Sequence, residues 1–415
     1  MLLQFICSNF ASIRDEVILS LEPASADREH PENIVKKGEY SALNEIAIYG
    51  ANASGKSNLF RAMTYALMII RDSSNRQVND PIPVIPFKFD DSSPTKPTKF
   101  EFTFVAKDGR KYIYGFSADR VKVHEEYLYF STSSGESMIF DRTGENYEFS
   151  GDLSGDLRAH LELVQRMNTQ NKLFLATATS WNVKTTLIPY KWLSEELETF
   201  NSVAISDMRM PGSILRMYRD NQKYAEFTID LLQNADINID SVSINSQNIS
   251  DSDSNLDELG DTAMLPMTKI LTQHRLNGSD KKYSLTLAEE SLGTRMLFGY
   301  SPLIKMALDS GKTLFIDEIE RSMHPSLVKF LLNMFRSTEN NPNGAQLIFI
   351  THETTLLARS IFRLDQIYFT EKNSNTAVTT LYSLDEFKVS KSENIEEGYL
   401  LGRFGAIPFL QTEVF

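Results

Sequence analysis

The stretch Gly50-Ala-Asn-Ala-Ser-Gly-Lys-Ser57 decides how the rest of this chain is interpreted. It follows a short apolar run at residues 46–49, which is typical of a buried strand. It precedes residues 58–71, whose apolar side chains recur at helical spacing. A strand, a glycine-rich loop and a helix in this order bind phosphate, because backbone N–H groups and the helix N-terminus converge on the phosphate oxygens. The stretch therefore predicts a phosphate loop.

The polar residues of this loop have distinct predicted roles. Lys56 would reach the outer phosphates with its ammonium group, and Ser57 would hold a magnesium ion. The alternative is a glycine turn that arose by chance. The correct strand and helix on both flanks argue against that alternative.

Composition limits the class of protein. The chain has 415 residues, 41% hydrophobic and 23% charged, which is ordinary for a globular protein of two or three structural units. We find no pattern of a signal peptide or a membrane span, and we expect a cytoplasmic protein without membrane contact. The single cysteine, Cys7, excludes an intramolecular disulfide and a cysteine-cluster metal site. The net charge of −13 argues against a surface that binds nucleic acid throughout, although a local basic groove stays open.

The first half of the chain predicts mainly strands. Residues 1–49 contain three of them, with a connecting segment at residues 9–14. Residues 72–99 carry five prolines and predict an irregular region. Alternating aromatic residues between 100 and 149 predict an antiparallel β lobe with a turn at 107–110. Aromatic residues at alternating positions are more typical of a core than of a surface for stacking bases.

The middle of the chain predicts mixed structure. Residues 154–234 favour helices, residues 237–244 a strand, and residues 265–287 a hairpin that turns near Asn277-Gly278. The acidic stretch 251–261 indicates a solvated loop; calcium binding is the alternative, but the spacing differs from that of an EF-hand. Sustained heptads are missing, so no long coiled-coil arm is expected.

Helix and strand patterns alternate again after residue 290. A helix containing Pro302 and ending at Gly311 is expected, and the proline should kink or divide it. Pro325 is set to start another helix. The residues that this second helix is expected to bury are Leu327, Phe330, Leu331 and Met334.

Two apolar strands in this region end in polar residues. Residues 313–316 lead into Asp317-Glu318, and residues 347–350 lead into Thr351-His352. Asp317 would bind magnesium through water, and Glu318 would position or deprotonate the attacking water. A further strand is expected at residues 367–370.

The ordered motifs resemble those of the ABC-type ATPases of the SMC/OLD group. They are most similar to the AAA-family ATPases of bacterial abortive-infection systems such as the AbiL type. The residues that carry the resemblance lie at 50–57, 290–294 (Glu-Ser-Leu-Gly-Thr), 315–320 (Phe-Ile-Asp-Glu-Ile-Glu), 351–353 (Thr-His-Glu) and 399–408. The resemblance also places the segment at residues 9–14 near the nucleotide.

The resemblance implies an α/β fold, a P-loop NTPase head of ABC/SMC type that is split by a long α+β insertion without a coiled-coil arm. Residues 1–80 would form the first part of the head and residues 286–415 the second part. Residues 81–285 would form the insertion, for which we hypothesise a role in binding a partner. Too few residues follow His352 for a nuclease domain of about 100 residues, so nuclease activity in this chain is not expected.

The resemblance also implies ATP and Mg²⁺ as cofactors and a homodimer that sandwiches ATP, with a higher oligomer left open. Ser291 and Gly293 of one subunit would meet the nucleotide of the other. This signature departs from the usual Leu-Ser-Gly-Gly-Gln, and a Q-loop cannot be placed. The residues implied to bind the nucleotide in the loop are Gly50, Asn52, Ala53, Ser54, Gly55, Lys56, Ser57 and Asn58. The residues implied to bind magnesium are Ser57 and Asp317. The residues implied in catalysis are Lys56, Glu318 and the switch residue His352.

The expected function is an ATPase that acts as a sensor or switch in anti-phage defence. From the family resemblance we expect a separate effector protein, a nuclease or a toxin. One alternative is a DNA-repair or chromosome-structure ATPase of the SMC type. Another is a scaffold that binds ATP only to dimerise, and the Asp317-Glu318 pair argues against it.

Overall fold

The structure is a computed structural model that describes residues 1–25, 27–132, 135–151, 154–201, 203–235, 237–244, 264–275 and 281–408. The chain divides into two compact units. The first contains Met1–Thr199, Gly311–Phe315 and the residues from Gly344 onwards, and the second contains Phe200–Ser310 and Ile316–Asn343. The division predicted from sequence, a head in two parts (residues 1–80 and 286–415) around an insertion (residues 81–285), stays a prediction.

We number the elements in chain order. The strands are β1 (Leu2–Ser8), β2 (Val17–Ser20), β3 (Ile34–Lys37), β4 (Tyr40–Leu43), β5 (Glu45–Gly50), β6 (Thr98–Val105), β7 (Lys111–Ala118), β8 (Val123–Thr132), β9 (Gly135–Thr143), β10 (Asn146–Phe149), β11 (Leu197–Asn201), β12 (Arg209–Pro211), β13 (Ile239–Ile244), β14 (Met264–Pro266), β15 (Ile270–Arg275), β16 (Lys282–Thr286), β17 (Thr313–Asp317), β18 (Gln346–Ile350), β19 (Ile367–Lys372) and β20 (Thr379–Ser383). The helices are α1 (Lys56–Asp72), α2 (Gly155–Met167), α3 (Phe174–Ser180), α4 (Lys184–Lys191), α5 (Val203–Ser206), α6 (Gly212–Asp220), α7 (Gln222–Asn234), α8 (Leu292–Ser310), α9 (Pro325–Arg336) and α10 (Ile395–Leu400).

The first unit contains the sheet on which the phosphate loop is built. Its strand order is β11-β17-β18-β5-β19-β20. β5 runs parallel to β18 on one side and to β19 on the other, and β20 is antiparallel to β19. Each residue of β5 is buried, as expected for a strand with neighbours on both sides. The prediction of an α/β fold is confirmed.

A second sheet of the first unit is antiparallel and has the order β10-β9-β8-β7-β6-β1-β2. The predicted β lobe is confirmed, and Phe104 lies opposite Tyr112 across the predicted turn. Its aromatic residues are core residues, with Phe100 and Phe102 fully buried. The lobe is continuous with the start of the chain, because Phe5 of β1 pairs with Phe102 of β6. This pairing joins strands from both sides of the predicted boundary at residue 81.

The helix after the phosphate loop forms where the sequence predicts it. α1 buries Leu59, Met63, Leu67 and Ile70, which are spaced at the helical period. The ring of Phe60 packs edge-on against that of Phe315, with centroids 5.1 Å apart. These contacts fix the direction of α1, and therefore of its N-terminus.

In the second unit, α8 corrects the expectation that Pro302 divides the helix. The helix runs through Pro302 without a break and ends before Gly311, whose φ is +68°. A proline lacks the N–H that would bond the carbonyl four residues earlier, which is that of Phe298. That carbonyl accepts hydrogen bonds from the Tyr218 hydroxyl at 2.7 Å and the Ser301 hydroxyl at 2.9 Å. The carbonyl is satisfied, so the helix continues.

The buried face of α9 also differs from the prediction. Pro325 begins the helix as expected, and the His324 ring accepts the Ser326 N–H at 3.2 Å. Of the four residues expected to be buried, Leu331 is buried, whereas Leu327, Phe330 and Met334 are partly exposed. The buried stripe consists of Val328, Leu331, Leu332 and Phe335.

The second unit also contains a three-stranded sheet of order β13-β15-β16. The predicted strand at residues 237–244 and the predicted hairpin are confirmed, with Arg275 opposite Lys282. The turn predicted at Asn277-Gly278 and the acidic stretch 251–261 lie outside the described residues.

Candidate functional site

The phosphate loop lies at the carboxyl edge of three parallel strands. β5 ends at Gly50, and α1 begins at Lys56. Ile48 lies opposite Ile350 of β18, and Gly50 lies opposite Thr370 of β19. Ligands of α/β proteins bind at this edge, because loops and helix N-termini converge there.

Glycine is required at the end of this loop. Gly55 has a φ of +112°, a backbone conformation that residues with a side chain rarely adopt. A Cβ atom at Gly55 would lie 2.2 Å from Oγ1 of Thr379, which is far inside van der Waals contact. Ala53 also has a positive φ, at +62°. The backbone of the loop is therefore curled in a way that Gly55 allows and a residue with a side chain would oppose.

Lys56 is held over the loop. It is only 6% exposed, and its ammonium group donates hydrogen bonds to the carbonyls of Gly50 at 2.7 Å and Ala51 at 2.9 Å. No side-chain hydrogen bond from the N-cap, Gly55, closes the start of α1. Ser57 is exposed on this first turn. A helix N-terminus without a side-chain cap and a fixed ammonium group suit the oxygens of a phosphate chain.

Residues from distant parts of the sequence brace the loop. The Ser54 hydroxyl lies 2.6 Å from that of Thr370, and the Thr379 hydroxyl donates to the Ser54 carbonyl at 2.9 Å. Ser12 lies 2.8 Å from Thr379 and accepts a hydrogen bond from Asn58 at 2.7 Å. The segment at residues 9–14 thus contacts both the loop brace and α1. Its predicted position beside the bound nucleotide stays a prediction.

Open space adjoins the loop. A cavity of about 500 Å³ is bordered on one side by residues 51–54 and on the other by residues 370–374. Lys372 lies over the ring of Phe89, with its ammonium nitrogen 5.8 Å from the ring centroid. The volume is within the range of small-molecule sites, roughly 300–1,000 Å³. A ligand held by the loop therefore has room beside it.

His352 lies at the same edge of the sheet. Thr351, directly after β18, is buried and donates its N–H to the Ile48 carbonyl at 3.1 Å. Because Ile350 is level with Ile48, the parallel register places His352 level with Gly50. Its side chain is exposed. The structure thus brings the predicted switch residue and the predicted phosphate loop to one edge within the first unit.

The acidic pair is in the second unit. Asp317 is 8% exposed at the end of β17, and Glu318 follows in a left-handed conformation with a φ of +55°. The Glu318 carboxylate pairs with Arg321 at 3.2 Å and is 42% exposed, so water reaches it. A non-glycine residue with a positive φ is uncommon, and strain of this kind often marks a functional position.

The Ser291–Thr294 segment packs beside the turn that follows Glu318. A Cβ atom at Gly293 would lie 2.8 Å from the carbonyl oxygen of Ser322, so only glycine permits this approach. The Ser291 hydroxyl accepts the Thr294 N–H at 3.1 Å and caps the start of α8. Within the second unit the structure therefore brings the predicted signature and the turn after the acidic pair together.

Glu290, which precedes this signature, is anchored from β15. Its carboxylate lies 2.7 Å from the His274 ring and accepts the Thr272 hydroxyl at 2.5 Å. Thr272 belongs to no sequence motif. Because β15 is paired on both sides, these contacts fix the residue next to Ser291.

Two kinds of functional residue were missed from the sequence. Thr370 and Thr379 brace the loop, but they are ordinary strand residues without a motif. Arg295, one turn after Ser291, is 8% exposed, and its Nε and Nη1 atoms have no hydrogen-bond partner among the described residues. Buried guanidinium nitrogens without hydrogen-bond partners are costly, so this position favours a bound anion. Its place directly after the Ser-Leu-Gly-Thr motif was the signal available in the sequence.

Membrane-spanning helices and clusters of metal-binding side chains are both missing from the described residues. None of their helices has both the length and the apolar character of a membrane span. Nor do these residues contain a group of three or more histidine, cysteine or acidic side chains placed to hold a metal ion. The Ser57 hydroxyl and the Asp317 carboxylate are oxygen ligands of the kind that Mg²⁺ prefers.

The fold and the braced loop define an α/β protein of the phosphate-loop class. The chain belongs to the family described as "AAA domain, putative AbiEii toxin, Type IV TA system", which matches residues 46–358. The predicted membership of an AAA family is therefore confirmed, whereas the similarity to the AbiL type in particular stays a prediction. No curated protein gave a significant sequence match.

Several solved structures are similar in outline. The SMC head domain from Thermotoga maritima is 11% identical with a TM-score of 0.41, over 94% of this chain and 99% of that one. The SMC head with an extended coiled coil from Pyrococcus furiosus, bound to the C-terminal domain of ScpA, is 12% identical with a TM-score of 0.40, over 97% and 98%. The recombination mediator RecF with ATP is 13% identical with a TM-score of 0.34, over 84% and 93%.

Proposed function

We propose that this chain binds and hydrolyses Mg-ATP and works as a nucleotide-controlled switch in anti-phage defence, together with a separate effector protein that is a nuclease or a toxin. The observation that carries the ATP part is the braced loop, with Lys56 fixed above it and the start of α1 uncapped. Membership of the AAA family supports the same activity.

The residues at the loop would act by position and charge. Backbone N–H groups between Asn52 and Asn58 would cradle the phosphates, and Lys56 would turn its ammonium group from the loop carbonyls to the outer phosphates. Ser57 and Asp317 would hold Mg²⁺, which would neutralise charge on the outer phosphates when bound. Glu318 would orient and deprotonate the attacking water, and His352 would contact the terminal phosphate.

A homodimer would complete the site. In this proposal Ser291 and Gly293 of one subunit face the nucleotide held by Lys56 of the other. The start of α8 offers its N-terminal amides to a phosphate, and the buried Arg295 adds positive charge nearby. Because both subunits would contact the same nucleotide, dimerisation of the chain would depend on which nucleotide is bound.

Mixing variants tests the sandwich directly. Lys56→Ala should abolish nucleotide binding, and Ser291→Arg should block the partner's site. Each variant alone should be inactive. In a mixture, heterodimers contain one site with an intact loop and an intact partner signature, so ATPase activity should return to a fraction of the wild-type rate.

A control variant carries the same substitution at the other end of α8. Ser310→Arg introduces the same side chain at the opposite, exposed end of α8 and should leave activity near wild type. The Glu318→Gln variant should bind ATP, hydrolyse it slowly and accumulate as a dimer in light scattering. If the mixture of inactive variants stays inactive while Glu318→Gln dimerises with ATP, Ser291 does not act across the interface.

The defence role depends on the resemblance and on the family description, which names a toxin of a type IV toxin–antitoxin system. The test is phage infection of cells that carry the chain with its neighbouring gene. Protection should need both genes and an intact Lys56, and the second protein should co-purify. Protection without a second protein, or tight DNA binding that weakens steeply with salt, would favour the alternative SMC-type role.

A further inference from the structure

A second cavity, away from the phosphate loop, lies within the first unit. It has a volume of about 400 Å³ and opens between β7, β8, β9 and the start of α4. Its walls combine apolar and aromatic groups with two cations. The residues that matter here are Arg110, Tyr112, Phe130, Ile139, Lys184 and Ile188.

The two cations are available to a ligand. The guanidinium carbon of Arg110 lies over the Phe130 ring, 5.2 Å from its centroid, so the two planar groups form a cation–π pair, which we call the Arg110–Phe130 platform. Lys184 is exposed, and its ammonium group makes no ion pair among the described residues. Both can therefore meet an anion without breaking an existing salt bridge.

The acid in the cavity is already engaged. Asp108 accepts a hydrogen bond from the Tyr112 hydroxyl at 2.8 Å and from the Arg110 N–H at 3.2 Å. Burial, together with this contact, raises the pKa of Tyr112 well above its usual range, so the hydroxyl stays a donor. Asp108 reduces the positive charge of the cavity, and two cations against one acid leave a net positive lining.

The start of α4 adds further donors. No side chain caps this helix at Val183, so the first N–H groups of α4 lack a side-chain acceptor. Thr185 also lines the cavity, and its hydroxyl oxygen is buried without a hydrogen-bond partner among the described residues. A buried hydroxyl in this state costs free energy until it finds a partner.

We propose that this cavity binds a nucleotide-class ligand, in which a planar ring stacks on the Arg110–Phe130 platform and a phosphate meets Lys184 and the start of α4. The platform suits a flat ring because aromatic and guanidinium planes stack on bases. The helix N-terminus and the two cations suit a phosphate. The volume is that of a small-molecule site, within roughly 300–1,000 Å³. The ring and the phosphate could belong to a free mononucleotide or to the 5′ end of a strand.

The four nucleoside 5′-monophosphates are the probes, with the four nucleosides as matched compounds that lack the phosphate. Calorimetry with the full chain should show one saturable site for at least one monophosphate. The matching nucleoside should bind at least about tenfold more weakly, because charge-assisted contacts to the phosphate are lost. Arg110→Gln/Lys184→Gln should lose at least tenfold in affinity, and Ile188→Glu should lose a similar factor by placing an acid on the cavity wall.

Two controls separate this site from the phosphate loop. Arg120→Gln/Lys122→Gln removes two exposed cations from the connection between β7 and β8, outside the cavity, and should bind as wild type does. Lys56→Ala should also keep the site, whereas a nucleotide bound at the loop would be lost in that variant and kept in Arg110→Gln/Lys184→Gln. The proposal can therefore fail while the ATPase proposal stands, and the reverse also holds.

A 5′-phosphorylated trinucleotide distinguishes the two sources. Binding tighter than that of the mononucleotide would identify the end of a strand, and equal or weaker binding would identify a free nucleotide; both outcomes support a nucleotide-class site. Equal affinity of nucleoside and monophosphate, wild-type affinity in Arg110→Gln/Lys184→Gln, or no saturable binding of any probe would overturn it.

Discussion

Replacing Gly55 by alanine tests the shape of the phosphate loop. The new Cβ would lie 2.2 Å from Oγ1 and 2.9 Å from Cβ of Thr379, and the φ of +112° is itself unfavourable for alanine. Strain at such a φ costs about 1–3 kcal/mol. Overpacking adds about 1–3 kcal/mol, because β20 cannot move without disturbing its pairing with β19. We therefore expect a loss of about 2–6 kcal/mol in the free energy of unfolding.

Gly109 provides the matched control. It also has a positive φ, at +79°, but a Cβ atom there would have no neighbour within 4 Å. Gly109→Ala should therefore show conformational strain alone, about 1–2 kcal/mol. Thermal unfolding of both variants and calorimetry with ATP provide the comparison, and Gly109→Ala should bind ATP as wild type does. If Gly55→Ala unfolds at the same temperature as Gly109→Ala and binds ATP normally, Thr379 does not press on the loop.

Three further predictions concern the scaffold. Glu126→Gln should destabilise the first unit by about 3–5 kcal/mol in chemical unfolding, because it leaves the buried Arg142, 3.5 Å from Glu126, without its counter-charge. Tyr218→Phe should cost about 1 kcal/mol and lower the thermal midpoint, since the Phe298 carbonyl loses one of its two donors. Cys7 should resist a thiol reagent until the protein unfolds, because complete burial raises the pKa of its thiol and keeps the reagent away. Rapid labelling of Cys7 in the native protein at pH 8 would contradict this expectation.

Local patterns in the sequence were sufficient to predict the strands and helices that carry the site. Strand, loop and helix around Gly50–Ser57 form as predicted, because the signal lies within some 25 consecutive residues. The same is true of β17, β18 and Pro325 at the start of α9. Each of these depends on neighbours in the chain rather than on contacts between distant segments.

Features that depend on distant contacts could not be predicted in this way. Apolar residues occur on two adjoining faces of α9, so periodicity permits either Leu327 or Val328 in the core, and packing selects Val328. The continuity of α8 through Pro302 needs the hydroxyl of Tyr218, which belongs to another helix. The threonine brace and the two Arg295 nitrogens that lack a partner among the described residues likewise become visible only when the chain is folded.

The brace on the phosphate loop has a consequence for the order of synthesis. Ser54 is made early, but its partners Thr370 and Thr379 follow more than 300 residues later. β5 likewise has no parallel neighbours until β18 and β19 have been made. A nascent chain that carries the whole Gly50–Ser57 motif therefore cannot hold the loop in its final shape. Competence to bind a nucleotide should arise only after β18, β19 and β20 have left the ribosome.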